Sequence, residues 1–230
     1  MAVSVLDLLF PPQCVGCKQT RGAWLCASCR AEIARHRLPM PCPHGVAATF
    51  CARCLDAPHL AGARVAGSYL PPLKTAVWAL KFNGKRQCAP ALAGLLAQAW
   101  RQEPLMRAEL VVPVPMAPER RRKRGYNQAA LLAGAVAREL RMACQEDALC
   151  CTRTPAAQHG LSAPERRANV ADLFAIVPRH APRLAGKRVI VVDDVLTTGA
   201  TLSAAATALC DAGAAEVWGL VLARPQLHDR

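Results

Sequence analysis

The segment Val189-Ile-Val-Val-Asp-Asp-Val-Leu-Thr-Thr-Gly-Ala-Thr201 concentrates more chemistry than any other part of this 230-residue chain. Its β-branched apolar run reads as a buried parallel strand ending near Val192, with Asp193 and Asp194 at the strand end. A loop follows through Thr197, Thr198 and Gly199 to Ala200 and Thr201, and an alanine-rich helix is expected from about Leu202 to Ala212. Strand, loop and helix start make an anion site, because free backbone N–H groups converge there with the positive end of the helix dipole. Gly199 lets the backbone approach a phosphate, and the threonine hydroxyls add donors. The two carboxylates only accept hydrogen bonds, so they suit the hydroxyls of a sugar phosphate. No Gly-x-x-x-x-Gly-Lys-Ser/Thr sequence is present, which argues against a nucleotide triphosphatase of the P-loop kind.

Cysteine supplies the second chemistry. Cys14-x-x-Cys17 and Cys26-x-x-Cys29 are two knuckles separated by eight residues, the pattern of a closed structural zinc site. A second set comprises Cys42, His44, Cys51 and Cys54. Here Cys51-x-x-Cys54 is a good knuckle, while Cys42-Pro-His44 is one residue tighter. His44 is either the fourth ligand or incidental to three cysteines, so one or two zinc ions are expected. A thioredoxin-like motif would sit in a βαβ context, and none surrounds these pairs.

A third feature is basic. Arg120-Arg-Arg-Lys-Arg124 follows the strand-like Leu110-Val-Val-Pro-Val-Pro115 and precedes a helix expected over Gln128–Met142. Alone, such a run is a solvated face. Beyond the end of a strand in an α/β sheet it reads as a cationic loop lying where ligands bind, and suits a pyrophosphate or a nucleic-acid backbone.

The elements that position these residues alternate. Strands are expected at Val65–Leu70, Leu110–Pro115, Val170–Val177, Val189–Val192 and Val217–Leu222, with helices at Pro72–Phe82 and Cys88–Trp100. Alternation of this kind implies an α/β fold, a mostly parallel sheet with helices on both faces. Residues 1–60 read as a double zinc-ribbon module with a short N-terminal helix, and 61–230 as the α/β domain. The net charge of +13 favours polyanionic partners, whereas 4% aromatic residues is poor for a base-stacking platform. No apolar run reaches the length of a membrane span, and the first ten residues lack a positive n-region. A cytoplasmic protein is the expectation.

The segment over residues 189–201 resembles the phosphoribosyl pyrophosphate (PRPP) signature of type I phosphoribosyltransferases. That resemblance implies that the Thr197–Thr201 loop holds the 5-phosphate of PRPP or ribose 5-phosphate and that Asp193 and Asp194 bind the ribose diol, with Val192 and Ala200 completing the site. Val-Val-Pro-Val-Pro and Arg-Gly-Tyr-Asn-Gln extend the likeness to the ComF (competence protein F) family. So do Tyr69, Leu80-Lys-Phe-x-Gly84, Arg153-Thr-x-x-x-Gln158-x-x-Leu161, Glu165-Arg166-x-x-Asn169 and Phe174, over roughly residues 8–224. The one departure is Cys42-Pro-His44, where that family usually has a second Cys-x-x-Cys. Membership implies a phosphoribosyltransferase-like domain behind a double zinc ribbon, working in DNA uptake with single-stranded DNA and DNA-uptake proteins as partners. Pro113, Val114, Arg121, Arg122, Lys123 and Arg124 are then the pyrophosphate or DNA contacts. If a phosphoribosyl group is transferred to an acceptor, Asp193, Asp194 and Arg124 form the catalytic set and Mg²⁺ accompanies PRPP. No hood signature is present for recognising an acceptor.

Overall fold

Eight consecutive residues, Arg188–Val195, form the central strand, and their side chains alternate between two separate cores. Val189 and Val191 enter one hydrophobic cluster and Ile190 and Val192 the other, as the two-residue period of a strand requires. A sheet that is apolar on both faces must be covered on both, and the computed structural model shows that it is. It describes residues 11–38, 41–45, 48–102, 107–152 and 173–225. The first ten residues and the matches at Arg153, Gln158, Leu161, Glu165, Arg166 and Asn169 lie outside them, as does the start of the strand expected from Val170.

In chain order the described elements are α1 (Ala27–Arg35), β1 (Phe50–Cys51), α2 (Ala52–Leu55), β2 (Gly62–Ser68), α3 (Leu73–Phe82), α4 (Ala89–Arg101) and β3 (Leu110–Pro113). They continue with α5 (Pro118–Arg124), α6 (Gln128–Leu140), β4 (Ala143–Cys144), β5 (Leu149–Cys151), β6 (Phe174–Ile176), α7 (Ala181–Leu184), β7 (Arg188–Val195), α8 (Ala200–Asp211) and β8 (Glu216–Arg224). The main sheet runs β1-β2-β8-β7-β3-β4, parallel except for β1, and β5 and β6 form a separate antiparallel pair. Helices α3, α4 and α6 bury their apolar stripes in the cluster that holds Ile190 and Val192, and α8 buries its own with Val189 and Val191. This is the expected α/β architecture.

The cysteine segment is not appended loosely. Cys14, Cys26 and Cys29 are buried in the same cluster as Leu73 and Leu80, and β1 adds to the sheet edge through Phe50↔Ala63 and Cys51↔Gly62. A Cβ on Gly16 would lie 2.9 Å from Pro72 Cβ and 2.9 Å from Cys29 Sγ, so the first knuckle packs tightly on the entry to α3.

Two local expectations are corrected. Asp193 and Asp194 do not stand beyond the strand but within it, because β7 remains paired with β8 through Asp193↔Val221 and Val195↔Ala223. The basic run is not a loop either. Pro118 at its start, Glu119 in its first turn and left-handed Gly125 (φ 81°) after its end make it the short helix α5.

Candidate functional site

The carboxyl ends of β3 and β7 open onto one cleft of about 380 Å³, within the range of small-molecule sites. Asp193, Asp194, Thr197 and Thr201 line one wall, Val114, Arg120, Arg124, Asn127 and Gln128 a second, and Lys81 and Phe82 of α3 a third. Of the residues expected at this site, Val114, Arg124, Asp193, Asp194, Thr197 and Thr201 meet at the cleft, whereas Val192, Thr198, Gly199 and Ala200 are not among its lining residues. Arg121, Arg122 and Lys123 do not line the cleft but stand exposed on the outer side of α5, and Pro113 is buried in β3.

The acidic pair is asymmetric. Asp194 is 3% exposed, and its Oδ1 accepts from Lys81 Nζ at 2.8 Å. Its Oδ2 is buried without a partner among the described residues. Such an atom costs free energy until a donor arrives, and a ribose hydroxyl is a donor. Asp193 Oδ1 accepts from the backbone N–H of Asp194 at 2.8 Å. Burial pushes the Asp193 carboxyl well above the usual carboxylate range, the neighbouring Asp194 charge adds to this, and Lys81 opposes it. Lys81 pairs with one oxygen of the acidic pair and leaves Asp194 Oδ2 free to accept, which fits hydroxyl donors or a divalent cation.

Beyond Val195 the chain turns at Gly199, held at φ 88°, into α8. The first-turn N–H groups of that helix have no carbonyl one turn back to bond, and a helix start of this kind can take an anion. Thr198 Oγ1 accepts from the backbone N–H of Ala200 at 3.4 Å and closes the turn. The opposite wall is fixed by Asn127, whose Nδ2 donates to the Val114 carbonyl at 2.9 Å while its Oδ1 caps α6 by accepting from the Ala129 N–H at 3.0 Å. Arg124 Nη1 donates to Gln128 Oε1 at 2.5 Å, and its guanidinium stands 5.2 Å over the Phe82 ring.

All eight expected metal ligands come together in two groups, each with its ligand atoms within 4.8 Å of one another. The pairs Cys14–Cys29, Cys17–Cys26 and Cys51–Cys54 are 3.7, 3.8 and 3.7 Å apart at sulfur. A tetrahedron with ~2.3 Å zinc–sulfur bonds has edges of ~3.8 Å, so the spacing fits zinc. His44 Nδ1 lies 3.3 Å from both Cys51 Sγ and Cys54 Sγ, which places His44 as the fourth donor of the second group. Cys14 and Cys26 in the first group and Cys51 in the second are shifted toward the metal-binding thiolate. Cys26 is lowered to about 6 by the Ser28 hydroxyl and the Cys29 backbone N–H. Cys51 also reaches about 6, because hydrogen bonds from the Cys54 backbone and thiol outweigh the cost of burial.

The second metal group touches the turn into α8. Leu55, one residue after Cys54, is buried against Gly199, where an added Cβ would meet Leu55 Cβ at 3.1 Å and Cδ2 at 3.2 Å. At the end of β8 the Arg224 guanidinium lies 3.8 Å above Phe50, the residue before Cys51, with Nη1 lacking a partner among the described residues. Sequence reasoning missed Lys81, Leu55, Arg224 and Asn127 as site components. Lys81, Phe82, Asn127 and Gln128 do lie in the strings that carry the family likeness, and that was the available signal. Leu55 and Arg224 had none.

The fold is that of a phosphoribosyltransferase-type domain joined to zinc-ribbon cysteine clusters. Accordingly, the family described as phosphoribosyl transferase domain matches residues 127–226. DNA utilization protein YhgH of Salmonella typhimurium (strain LT2) is 36% identical over 85% of this chain and 83% of its own length. Competence protein F of Haemophilus influenzae is 32% identical over 91% of this chain and 90% of its own. Among solved structures, glutamine PRPP amidotransferase from B. subtilis is 23% identical over 59% of this chain and 26% of that one, with a TM-score of 0.40. The chain belongs to the competence protein F family. Among the described residues no helix is long and apolar enough to cross a membrane.

Proposed function

We propose that this protein binds PRPP or ribose 5-phosphate at the β7–α8 cradle, holds two structural zinc ions, and handles single-stranded DNA in the cytoplasm. In this reading residues 1–60 are the zinc module and 61–230 the phosphoribosyl domain. The observation that carries it is Asp194, with one oxygen unpartnered, on a cleft that also presents a helix start and two arginines. A sugar phosphate supplies what each lacks: hydroxyl donors for the carboxylates and an anion for the cradle. The relatives' names support the DNA role. Mg²⁺, when bound with PRPP, would screen charge between the diphosphate and the acidic pair, and Asp193 would be the residue to meet it.

Asp194→Asn tests the sugar site. It replaces a carboxylate acceptor by an amide and should weaken ribose 5-phosphate binding by ~1.5–3 kcal/mol, about ten- to a hundredfold. Calorimetry measures it, with the unfolding midpoint as control because Lys81 also loses its ion pair. Equal affinity in both proteins would remove the diol role.

The DNA role has its own test. Changing Arg121, Arg122 and Lys123 together to Ala should weaken single-strand binding irrespective of sequence. The salt slope should fall by ~0.7 per lost phosphate contact, about two for three contacts. Ribose 5-phosphate affinity should hold, since these side chains stand outside the cleft. An unchanged slope sinks the assignment of α5 to DNA.

A second reading is phosphoribosyl transfer to an acceptor. It is favoured by the cleft's extent, past the acidic pair to Cys151 and Phe174. PRPP consumption against a panel of nucleobases and amines distinguishes it.

A further inference from the structure

Trp78 and Phe82 are 49% and 58% exposed, the large apolar side chains left in solvent among the described residues. They are one turn apart on α3, whose opposite face buries Leu73, Ala76, Val77, Ala79 and Leu80. The two rings pack together at 4.8 Å between centroids, tilted by 52°. They form one apolar ledge, not two scattered residues, and such a patch marks a binding surface. Ten aromatic residues make up the chain's 4%, and two of them stand at this spot. The average composition argued against base stacking, but their placement argues for it.

The surroundings select the occupant. Phe82 lies at the rim of the phosphoribosyl cleft, and the Arg124 guanidinium covers part of its ring. Lys74 and Lys85 are exposed on or just after the same helix, and Arg120 to Lys123 stand exposed on α5. A purely apolar partner would be ill matched to so many cations. A duplex hides its bases from a surface ledge. A flexible chain of flat aromatic rings joined by phosphates satisfies both halves of the surface.

Resting on the single-strand reading above, we infer that Trp78 and Phe82 form a base-stacking ledge for single-stranded nucleic acid at the rim of the phosphoribosyl cleft, with the α5 cations on the strand's phosphates. Two neighbouring bases stack on the two rings, and the backbone runs toward α5. Stacking is indifferent to base identity, so the ledge confers preference for unpaired bases without sequence preference.

The test compares a twelve-residue oligothymidylate with an abasic oligomer of equal length and charge, titrated into zinc-loaded full-length protein. Phe82→Ala and Trp78→Ala should each weaken binding of the base-bearing strand about tenfold and leave the abasic strand unchanged. Phe82→Tyr should keep wild-type affinity. Trp78 fluorescence should be quenched by the base-bearing strand alone. Unchanged unfolding midpoints will show that the variants fold, as expected for exposed positions. Equal losses on both strands, or no loss on either, would overturn the ledge while leaving a DNA role standing. Quenching by free nucleobase but by neither strand would reassign the rings to an acceptor molecule and overturn it too. A wild-type protein that binds no strand would overturn the single-strand reading itself.

Discussion

Gly199→Val is expected to weaken ribose 5-phosphate binding about a hundredfold. Two effects combine. Gly199 sits at φ 88°, a left-handed conformation that a β-branched residue enters only at ~1–3 kcal/mol. Its added Cβ would also meet Leu55 at 3.1 Å, closer than most real contacts of that kind. The structure turns that side chain toward Leu55, so either α2 or the Thr197–Thr201 loop must shift. Adding Leu55→Ala should therefore recover part of the lost affinity in calorimetry, leaving the backbone strain. No recovery in the double variant would show that Leu55 does not bear on the loop.

Much of this site was legible from residue order, for reasons that also explain the misses. The apolar run of β7 and the Asp-Asp and Thr-Thr-Gly strings are local signals, and the cradle they specify is local. Carboxylates are depleted in strands, so the strand seemed to end at Val192. It continues to Val195 because pairing with β8 on one side holds it, and that partner lies about thirty residues on. Arg120–Arg124 looked like a loop because it has no apolar stripe, although Pro118, Glu119 and Gly125 signal a helix start and stop. Lys81 on an amphipathic helix reads as a solvent-facing cation, and only tertiary packing brings its Nζ to Asp194. Leu55 against Gly199 is a contact across more than a hundred residues, with no local trace.

Removing the metals should have the largest effect on stability. Metal analysis is expected to give two zinc ions per chain, and His44→Ala should reduce this to about one. Structural zinc contributes ~10–16 kcal/mol of binding free energy in small modules, and here that energy is tied to folding. Three ligands of the first group, Cys14, Cys26 and Cys29, are buried beside Leu73 and Leu80. Chelation should therefore do more than unfold the first sixty residues. The unfolding midpoint of the whole protein should drop by more than about 10 °C. Loss of the second metal should also lower ribose 5-phosphate affinity, because α2 and Leu55 buttress Gly199. Less than half an equivalent of any transition metal in purified protein would sink both zinc assignments.

Titration calorimetry of PRPP and ribose 5-phosphate into the zinc-loaded protein, with and without Mg²⁺, bears most directly on the phosphoribosyl site. Saturable binding of one molecule per chain is expected for both ligands, with PRPP gaining affinity when Mg²⁺ is present and ribose 5-phosphate much less. Absence of binding by either ligand at millimolar concentration, in protein shown to be folded and metal-loaded, would contradict the assignment of the Asp193–Thr201 segment to a sugar phosphate.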